Sequence, residues 1–225
     1  MMPSLTILMP CLNEANTIAA CIREAQGYLR ACGAQGEVLI SDNGSTDDSV
    51  RIARMLGARV VHCPQRGYGH ALRFGMQQAA HEVIIMGDCD CSYDFSAIGE
   101  MHRLLSTEAD VVIGNRFASP PDPKAISLSH RIGVPVLSWL GRVRFRTDVR
   151  DFHCGLRGIR RDALSRLTFT CGGMEFATEM IAVSVKNGLR ICQTPVVLRP
   201  DGRNGPPHLR TVRDGWRHLR YILKG

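Results

Sequence analysis

The stretch Val83-Ile84-Ile85-Met86-Gly87-Asp88-Cys89-Asp90 decides the fold. Four apolar residues in a row, rich in β-branched side chains, predict a strand buried on both faces. Gly87 stops it, and two carboxylates follow with one residue between them. In an open α/β sheet, ligands gather beyond the carboxyl ends of such strands. Two carboxylates at this spacing can share one hard cation. Mg²⁺ and Mn²⁺ take oxygen ligands and usually complete their shell with diphosphate oxygens and water. The triplet also occurs by chance in surface turns, so its place directly behind a buried strand is what gives it weight.

Working outward, the first part of the chain repeats this pattern. Ser4–Met9 predicts a buried first strand ending at Pro10. Ile18, Cys21, Ile22, Ala25 and Leu29 recur at helical spacing, with Gly33 just past the end. Glu37–Ser41 predicts a second strand, and Ser45 or Thr46 a cap for a helix reaching about Gly57. Ala58–His62, Val83–Met86 and Ala109–Ile113 are further strands, with a helix over Tyr68–Ala80 between the first two. This alternation predicts βαβ units and a mostly parallel sheet. Polar clusters follow three of the strands: Pro10-Cys11-Leu12-Asn13-Glu14, Ser41-Asp42-Asn43-Gly44-Ser45-Thr46-Asp47, and Gly87-Asp88-Cys89-Asp90. From about Ala118 the pattern changes to a Pro-rich loop over Ser119–Pro123 and an apolar stretch over Ile126–Leu140. A helix follows over Glu175–Val185 and a strand over Ile191–Leu198, broken by Pro195. Then come a Gly/Pro loop over Arg199–Pro207 and a helix over Thr211–Leu223.

The charge divides with the pattern. Residues 1–100 carry 7 basic and 11 acidic side chains, while residues 101–225 carry 21 basic and 10 acidic. Of the basic residues 25 are Arg and 3 are Lys, and arginine's planar fork suits phosphate. An acidic, cation-binding half beside a phosphate-binding half is the sharper reading; a solvated basic face is the plainer one. The 9 cysteines are scattered without a C-x-x-C pair, as in reduced cytoplasmic proteins. Met1–Pro10 has no basic region ahead of its apolar run, so no secretory signal is expected. No apolar run reaches the ~18–20 residues that span a bilayer.

Pro10-x-x-Asn13-Glu14, Asp42-Asn43-Gly44-Ser45-Thr46-Asp47 and Asp88-x-Asp90, in this order and roughly this spacing, resemble the family 2 inverting glycosyltransferases of the GT-A fold. The resemblance narrows to the dolichol-phosphate (polyprenyl-phosphate) mannosyltransferase branch. It runs on through Arg66–Arg73, Gly114-Asn115-Arg116-Phe117 and Asp151–Arg157. It implies an α/β, GT-A-like, Rossmann-type three-layer sandwich with a mostly parallel central sheet. Residues 1–117 would form the nucleotide-sugar-binding half of one domain. Residues 118–225 would form an acceptor-facing half ending in a basic amphipathic helix. It also implies roles. Pro10, Asn13 and Glu14 would line the nucleoside pocket, and Asp42 would contact base or ribose, with Arg66 beside it. Asp88 and Asp90 would face Mg²⁺ or Mn²⁺ and the diphosphate, with Ser92 as a further contact. Arg116 would bind phosphate. Arg199 and Gly202 occupy the place of an Arg-x-x-Gly loop that closes over the diphosphate. Relatives often follow that glycine with Ser-Lys, whereas this chain has Arg203-Asn204, which moves the cation.

Transfer to a lipid phosphate would need no strong base, because that nucleophile arrives ionised. Transfer to a sugar hydroxyl would need a carboxylate base. Glu175 and Glu179, one helical turn apart, are the candidates, against the alternative of a solvated helix face. The expected partners are a GDP- or UDP-linked sugar, a lipid-phosphate acceptor and the cytoplasmic face of a membrane, with no nucleic acid. Trp139 and Trp216 flank arginine clusters, as interfacial tryptophans do; each could equally be a core residue. A pyrophosphorylase would show a Gly-rich basic loop after strand one, and an oxidoreductase a G-x-G-x-x-G there; neither is present. A non-enzymatic RNA or membrane binder would leave the carboxylate clusters unexplained.

Overall fold

The computed structural model describes residues 2–118, 128–203 and 211–224, with backbone alone for 128–132 and Thr211. The loop segments Ser119–Pro123 and Asn204–Pro207, together with His208 and Arg210, lie outside the described residues.

Strand β1 (Leu5–Cys11) leads into α1 (Ile18–Cys32), which ends on Gly33 in the left-handed conformation. Strands β2 (Gly36–Asp42) and β3 (Arg59–His62) flank α2 (Ser49–Met55). Helix α3 (Tyr68–Gln78) precedes β4 (Val83–Met86), and α4 (Gly99–Thr107) precedes β5 (Val111–Asn115). Then follow α5 (Leu128–Phe145), β6 (Arg157–Arg160), the short α6 (Arg161–Leu164), α7 (Phe176–Lys186), β7 (Ile191–Pro195) and α8 (Thr211–Lys224).

One seven-stranded sheet results, in the order β3-β2-β1-β4-β6-β5-β7. All pairings are parallel except those of β6, which runs against both β4 and β5. Both faces are covered, as a parallel-rich sheet requires. Leu5, Ile7 and Met9 pack with α1 and α4 residues such as Ile22 and Met101. Leu8, Leu39, Ile84 and Ile113 pack with Met76 of α3 and Phe176 and Met180 of α7. The two sets alternate along each strand because strand side chains have period two. The α/β, three-layer, mostly parallel architecture expected from the sequence is therefore the one observed.

Three local expectations are corrected. β1 continues through Pro10 to Cys11. In its parallel ladder Leu8 accepts from Gly87 and Cys11 from Asn43, so the Pro10 nitrogen faces the β4 side, beyond the end of β4, and costs no ladder bond. Helix α2 starts later than Ser45 or Thr46. The Asp47 carboxylate accepts from the Ser49 backbone and is what closes the helix start. β7 ends at Pro195 and does not reach Leu198.

Candidate functional site

The strand order turns between β1 and β4: β2 and β3 extend to one side, β4 to the other. The crevice beyond the carboxyl ends at such a switch point is the binding place of open α/β sheets. Here it receives Pro10–Glu14 from β1, Asp42–Asp47 from β2 and Asp88–Asp90 from β4.

The first two loops are stitched together. Asn13, at φ 57°, accepts on Oδ1 from the Thr46 amide at 2.8 Å, and its own amide donates to Ser45 Oγ at 3.0 Å. The Glu14 amide donates to Ser49 Oγ at 2.7 Å and the Ala15 amide to Asp47 at 3.0 Å. Asp47 thus fixes loops and a helix start. Asp42 is buried and accepts from the Gly44 and Ser45 amides, and its Oδ2 lies 3.1 Å from His62 Nδ1. Asn43 binds Gln65 O at 2.8 Å and the Gly67 amide at 2.7 Å, which brings Arg66 over Gly44. Pro10, Asn13, Asp42 and Arg66 are thereby gathered at one end of the crevice.

The acidic cluster lies beside them. Burial pushes the Asp88 carboxyl up to about 6; the neighbouring Asp90 adds to this and the Tyr68 hydroxyl opposes it. Burial raises Glu14 to about 7, although the Arg203 guanidinium pulls the other way. Asp90 accepts on one oxygen from the Ser92 amide at 3.0 Å and hydroxyl at 2.5 Å, so Ser92 orients this carboxylate. Its other oxygen accepts from Arg203 at 3.0 Å. Arg203 also reaches Glu14 at 3.0 Å and Asp201 at 2.6 Å. One guanidinium therefore sits among three carboxylates. The segment that carries it is strapped down: the Gly202 amide donates to Asp90 O and the Arg199 amide to Ser92 O, each at 2.9 Å. The Arg199 side chain, expected over the diphosphate, instead pairs with Glu24 at 2.7 Å and with Asp94.

These residues fit a hard divalent cation. Asp88 and Asp90 are oxygen donors, and the Arg203 charge lying on Asp90 marks where positive charge is stabilised. Among the described residues no three His, Cys, Asp or Glu side chains are grouped to hold a metal by themselves. Such a cation would take further oxygens from a ligand, as Mg²⁺ does with diphosphates.

Beyond β4, the loop before β6 supplies the third part of the site. Asp151 is fully buried and holds Arg116 in a fork, at 2.7 Å to Nε and 2.9 Å to Nη2. Arg157 is also buried, and its guanidinium donates to the carbonyls of Phe152, Cys154 and Ala177 at 2.5–2.6 Å. It ties this loop to α7. Of the two carboxylates weighed as bases, Glu179 is committed: it accepts from the Thr170 amide and hydroxyl and from the Cys171 amide, at 2.7–2.9 Å. It holds the turn before α7. Glu175 is different. Its Oε1 accepts from Arg217 at 2.8 Å, and its buried Oε2 has no hydrogen-bond partner among the described residues.

A model of the glycosyl transferase family 2 domain matches residues 6–168. The chain belongs to that family. It is 35% identical over 223 residues to the low-salt glycan biosynthesis hexosyltransferase Agl6 of Haloferax volcanii, covering 98% of this chain and 53% of that protein. The chain thus spans about half the length of that relative. It is 26% identical over 195 residues to a dolichyl-phosphate hexose transferase of the same organism, covering 87% of this chain and 82% of the relative. Glucosyl-3-phosphoglycerate synthase from Mycobacterium tuberculosis, solved with Mn²⁺, UDP and phosphoglyceric acid, has the same fold. Its TM-score is 0.76 at 20% identity, covering 98% of this chain and 76% of that one. The GT-A architecture follows from that likeness.

Three contacts around the crevice were not foreseen in the sequence. His62 touches the Asp42 carboxylate, though it lies 20 positions away with no motif around it. Tyr68 hydrogen-bonds Asp88 from the first turn of α3. His218 packs edge-on against His153, with ring centroids 4.3 Å apart. Only the tertiary fold brings these together, and no local spacing encodes it.

Proposed function

We propose that the protein transfers a hexose, with inversion, from a nucleoside diphosphate sugar to a polyprenyl or dolichyl phosphate at a membrane surface. The observation that carries the reading is the carboxylate cluster of Asp88, Asp90 and Glu14 at the β1/β4 switch point, with arginine at its edge. Pro10, Asn13, Asp42 and Arg66 would hold the nucleoside. Asp88 and Asp90 would hold Mg²⁺ or Mn²⁺, which supplies charge neutralisation for the departing diphosphate. Arg203 would hand its contact with Asp90 to the cation and turn to the diphosphate. Arg116, fixed by Asp151, would bind a phosphate of donor or acceptor. The lipid acceptor is supported by the dolichyl-phosphate hexose transferase among the relatives and by the basic character of residues 101–225. With a phosphate nucleophile, catalysis rests on positioning and electrostatics and needs no base.

A second reading has its own observation. Oε2 of Glu175 is buried and without a partner among the described residues, as a base awaiting a hydroxyl would be. Glu175→Gln separates the two: a hydroxyl acceptor predicts a fall in kcat of a hundredfold or more, a phosphate acceptor a small one.

Calorimetry with UDP and GDP, with and without Mn²⁺, tests the donor side. One of them should bind in the micromolar range, and only with metal. Binding of neither overturns the assignment.

A further inference from the structure

Helix α8 is turned inside out for a surface helix. Its buried positions are Asp214, His218 and Ile222, spaced four apart on one stripe. The face is satisfied internally: Thr178 Oγ1 lies 2.8 Å from His218 Nδ1, and burial lowers His218 to about 4, so the ring is neutral at pH 7. Apart from Ile222 and the half-buried Tyr221, the apolar residues point the other way. Val212, Trp216 and Leu223 are exposed, and Leu219 is half-buried between them. These positions recur at i, i+4, i+7 and i+11, which is one continuous stripe. Burial normally takes the apolar stripe and leaves the polar one to water, so this inversion calls for a partner.

The neighbouring helix repeats the feature. On α5, Val136, Trp139 and Val143 stand at i, i+3 and i+7, all exposed. The two helices pack together, with Phe145 of α5 against Tyr221 of α8 at 6.4 Å. Both tryptophans of the chain lie here, 54% and 63% exposed. Single exposed apolar residues are ordinary, whereas a contiguous set marks an interaction surface.

The charge around the stripes selects the partner. The two helices carry seven Lys or Arg and a single acid, the buried Asp214. Arg144, Arg146, Arg213, Arg220 and Lys224 are exposed beside the apolar residues. A second copy of this chain would bring the same positive charge to the contact and be repelled. An anionic bilayer meets both needs, taking tryptophan and leucine at headgroup depth and pairing arginine with lipid phosphate.

We infer that the outer faces of α5 and α8 form a two-helix platform that docks on anionic lipid. The inner face of α8 carries Arg217, paired with Glu175, and His218, edge-on against His153. Docking therefore brings the lipid surface within one helix diameter of the Glu175 and Arg116 side of the crevice. The inference deepens the lipid-acceptor reading but needs no acceptor to be tested.

The experiment is co-sedimentation with vesicles of phosphatidylcholine alone or with phosphatidylglycerol added, all free of polyprenyl phosphate. UDP and GDP binding is followed on the same samples. The protein should bind the anionic vesicles, less so as salt rises, and bromine-labelled lipid should quench both tryptophans. Trp139→Ser with Trp216→Ser should weaken binding tenfold or more, and Arg220→Gln about fivefold, with nucleotide binding unchanged. Failure to bind anionic vesicles while nucleotide binding is intact overturns the platform and leaves the transferase reading standing. A dimer in solution that the tryptophan replacements dissociate also overturns it, since a second copy then covers the face.

Discussion

Asp151→Asn is the sharpest probe of how the crevice is held. In the folded protein Oδ2 accepts from the Arg116 Nε at 2.7 Å and its amide at 3.2 Å, while Oδ1 accepts from Arg116 Nη2 at 2.9 Å and the His153 amide at 3.1 Å. An asparagine keeps one oxygen. Whichever way its amide is turned, an NH₂ group faces two donors, and a nearly buried guanidinium loses its counter-charge. Breaking a buried pair in this way costs about 3–5 kcal/mol. For a chain of this size that lowers the thermal midpoint by roughly 6–20 °C. Burial pushes the Asp151 carboxyl up, but the Arg116 charge and hydrogen bonds more than offset it and hold it below the usual carboxylate range. A depressed carboxylate contributes stability that is complete above its unfolded value and lost as pH falls through the folded one. The wild type should therefore begin to lose this contribution as pH falls below about 4, whereas Asp151→Asn lacks it at every pH. Urea titrations at pH 7 and pH 3.5 measure both effects. Replacing the pair together, Arg116→Met with Asp151→Leu, should recover much of the stability and none of the activity. A single variant that melts within 2 °C of wild type, or a double variant no more stable than the single, refutes the reasoning.

Other perturbations address the cluster at the switch point. Asp90→Asn should abolish metal-dependent turnover while leaving the circular dichroism spectrum unchanged; full activity would remove the metal assignment. Arg203→Gln leaves Glu14, Asp90 and Asp201 without their shared cation, so the protein should lose about 1–2 kcal/mol without metal. Millimolar Mn²⁺ should restore most of that loss, and a melt insensitive to Mn²⁺ would count against Arg203 occupying a cation's place. Glu14, raised by burial to about 7, favours its protonated form in the fold. Stability should fall as pH rises from about 4.5 to about 7, and Glu14→Gln should flatten that slope in melting curves taken across the range.

The parallel half of the fold was legible because each strand is a short apolar run ended by Gly, Pro or a carboxylate. β1, β2 and β4 were placed to within a residue or two for that reason, and their polar ends located the crevice. β6 was not legible. Arg157-Gly158-Ile159-Arg160 holds one large apolar residue, and Arg157 is buried only because three carbonyls surround its guanidinium. No hydropathy pattern signals an arginine that tertiary hydrogen bonds have neutralised in effect. The surroundings of Arg199 and Glu179 were not legible for a related reason. Sequence position suggested arginine for phosphate and glutamate for base work, but Glu24 and Asp94 hold the first and the Thr170–Cys171 turn consumes the second. The exposure of Trp139 and Trp216, in contrast, was one of two readings that the arginine clusters allowed, and burial decided between them.

The antiparallel sense of β6 explains why a site residue can be tested through a glycine. A parallel strand delivers the loop that follows it to the carboxyl edge of the sheet, whereas an antiparallel one delivers the loop that precedes it. Arg157 pairs with Met86 of β4 and Ile113 of β5, so Asp151–Leu156 arrives where those strands end. The approach is close: a Cβ on Gly155 would lie 2.5 Å from Asp88 Oδ2 and 3.1 Å from the Tyr93 ring. The Gly155 amide meanwhile donates to the Tyr93 hydroxyl at 2.7 Å, which fixes the loop. In Gly155→Ala the backbone is anchored and the Asp88 carboxylate is the movable partner, so the carboxylate gives way. Rotating one side chain costs little stability, on the order of 0.5–1.5 kcal/mol for a strained rotamer. Displacing a ligand-holding group by about 1 Å can cost a hundredfold in rate. The expected signature is a midpoint within a few degrees of wild type, with metal-dependent nucleotide binding and turnover down by one to two orders of magnitude. If binding and turnover are unchanged, Asp88 does not hold the metal; if the protein unfolds instead, the loop and not the carboxylate is the softer partner.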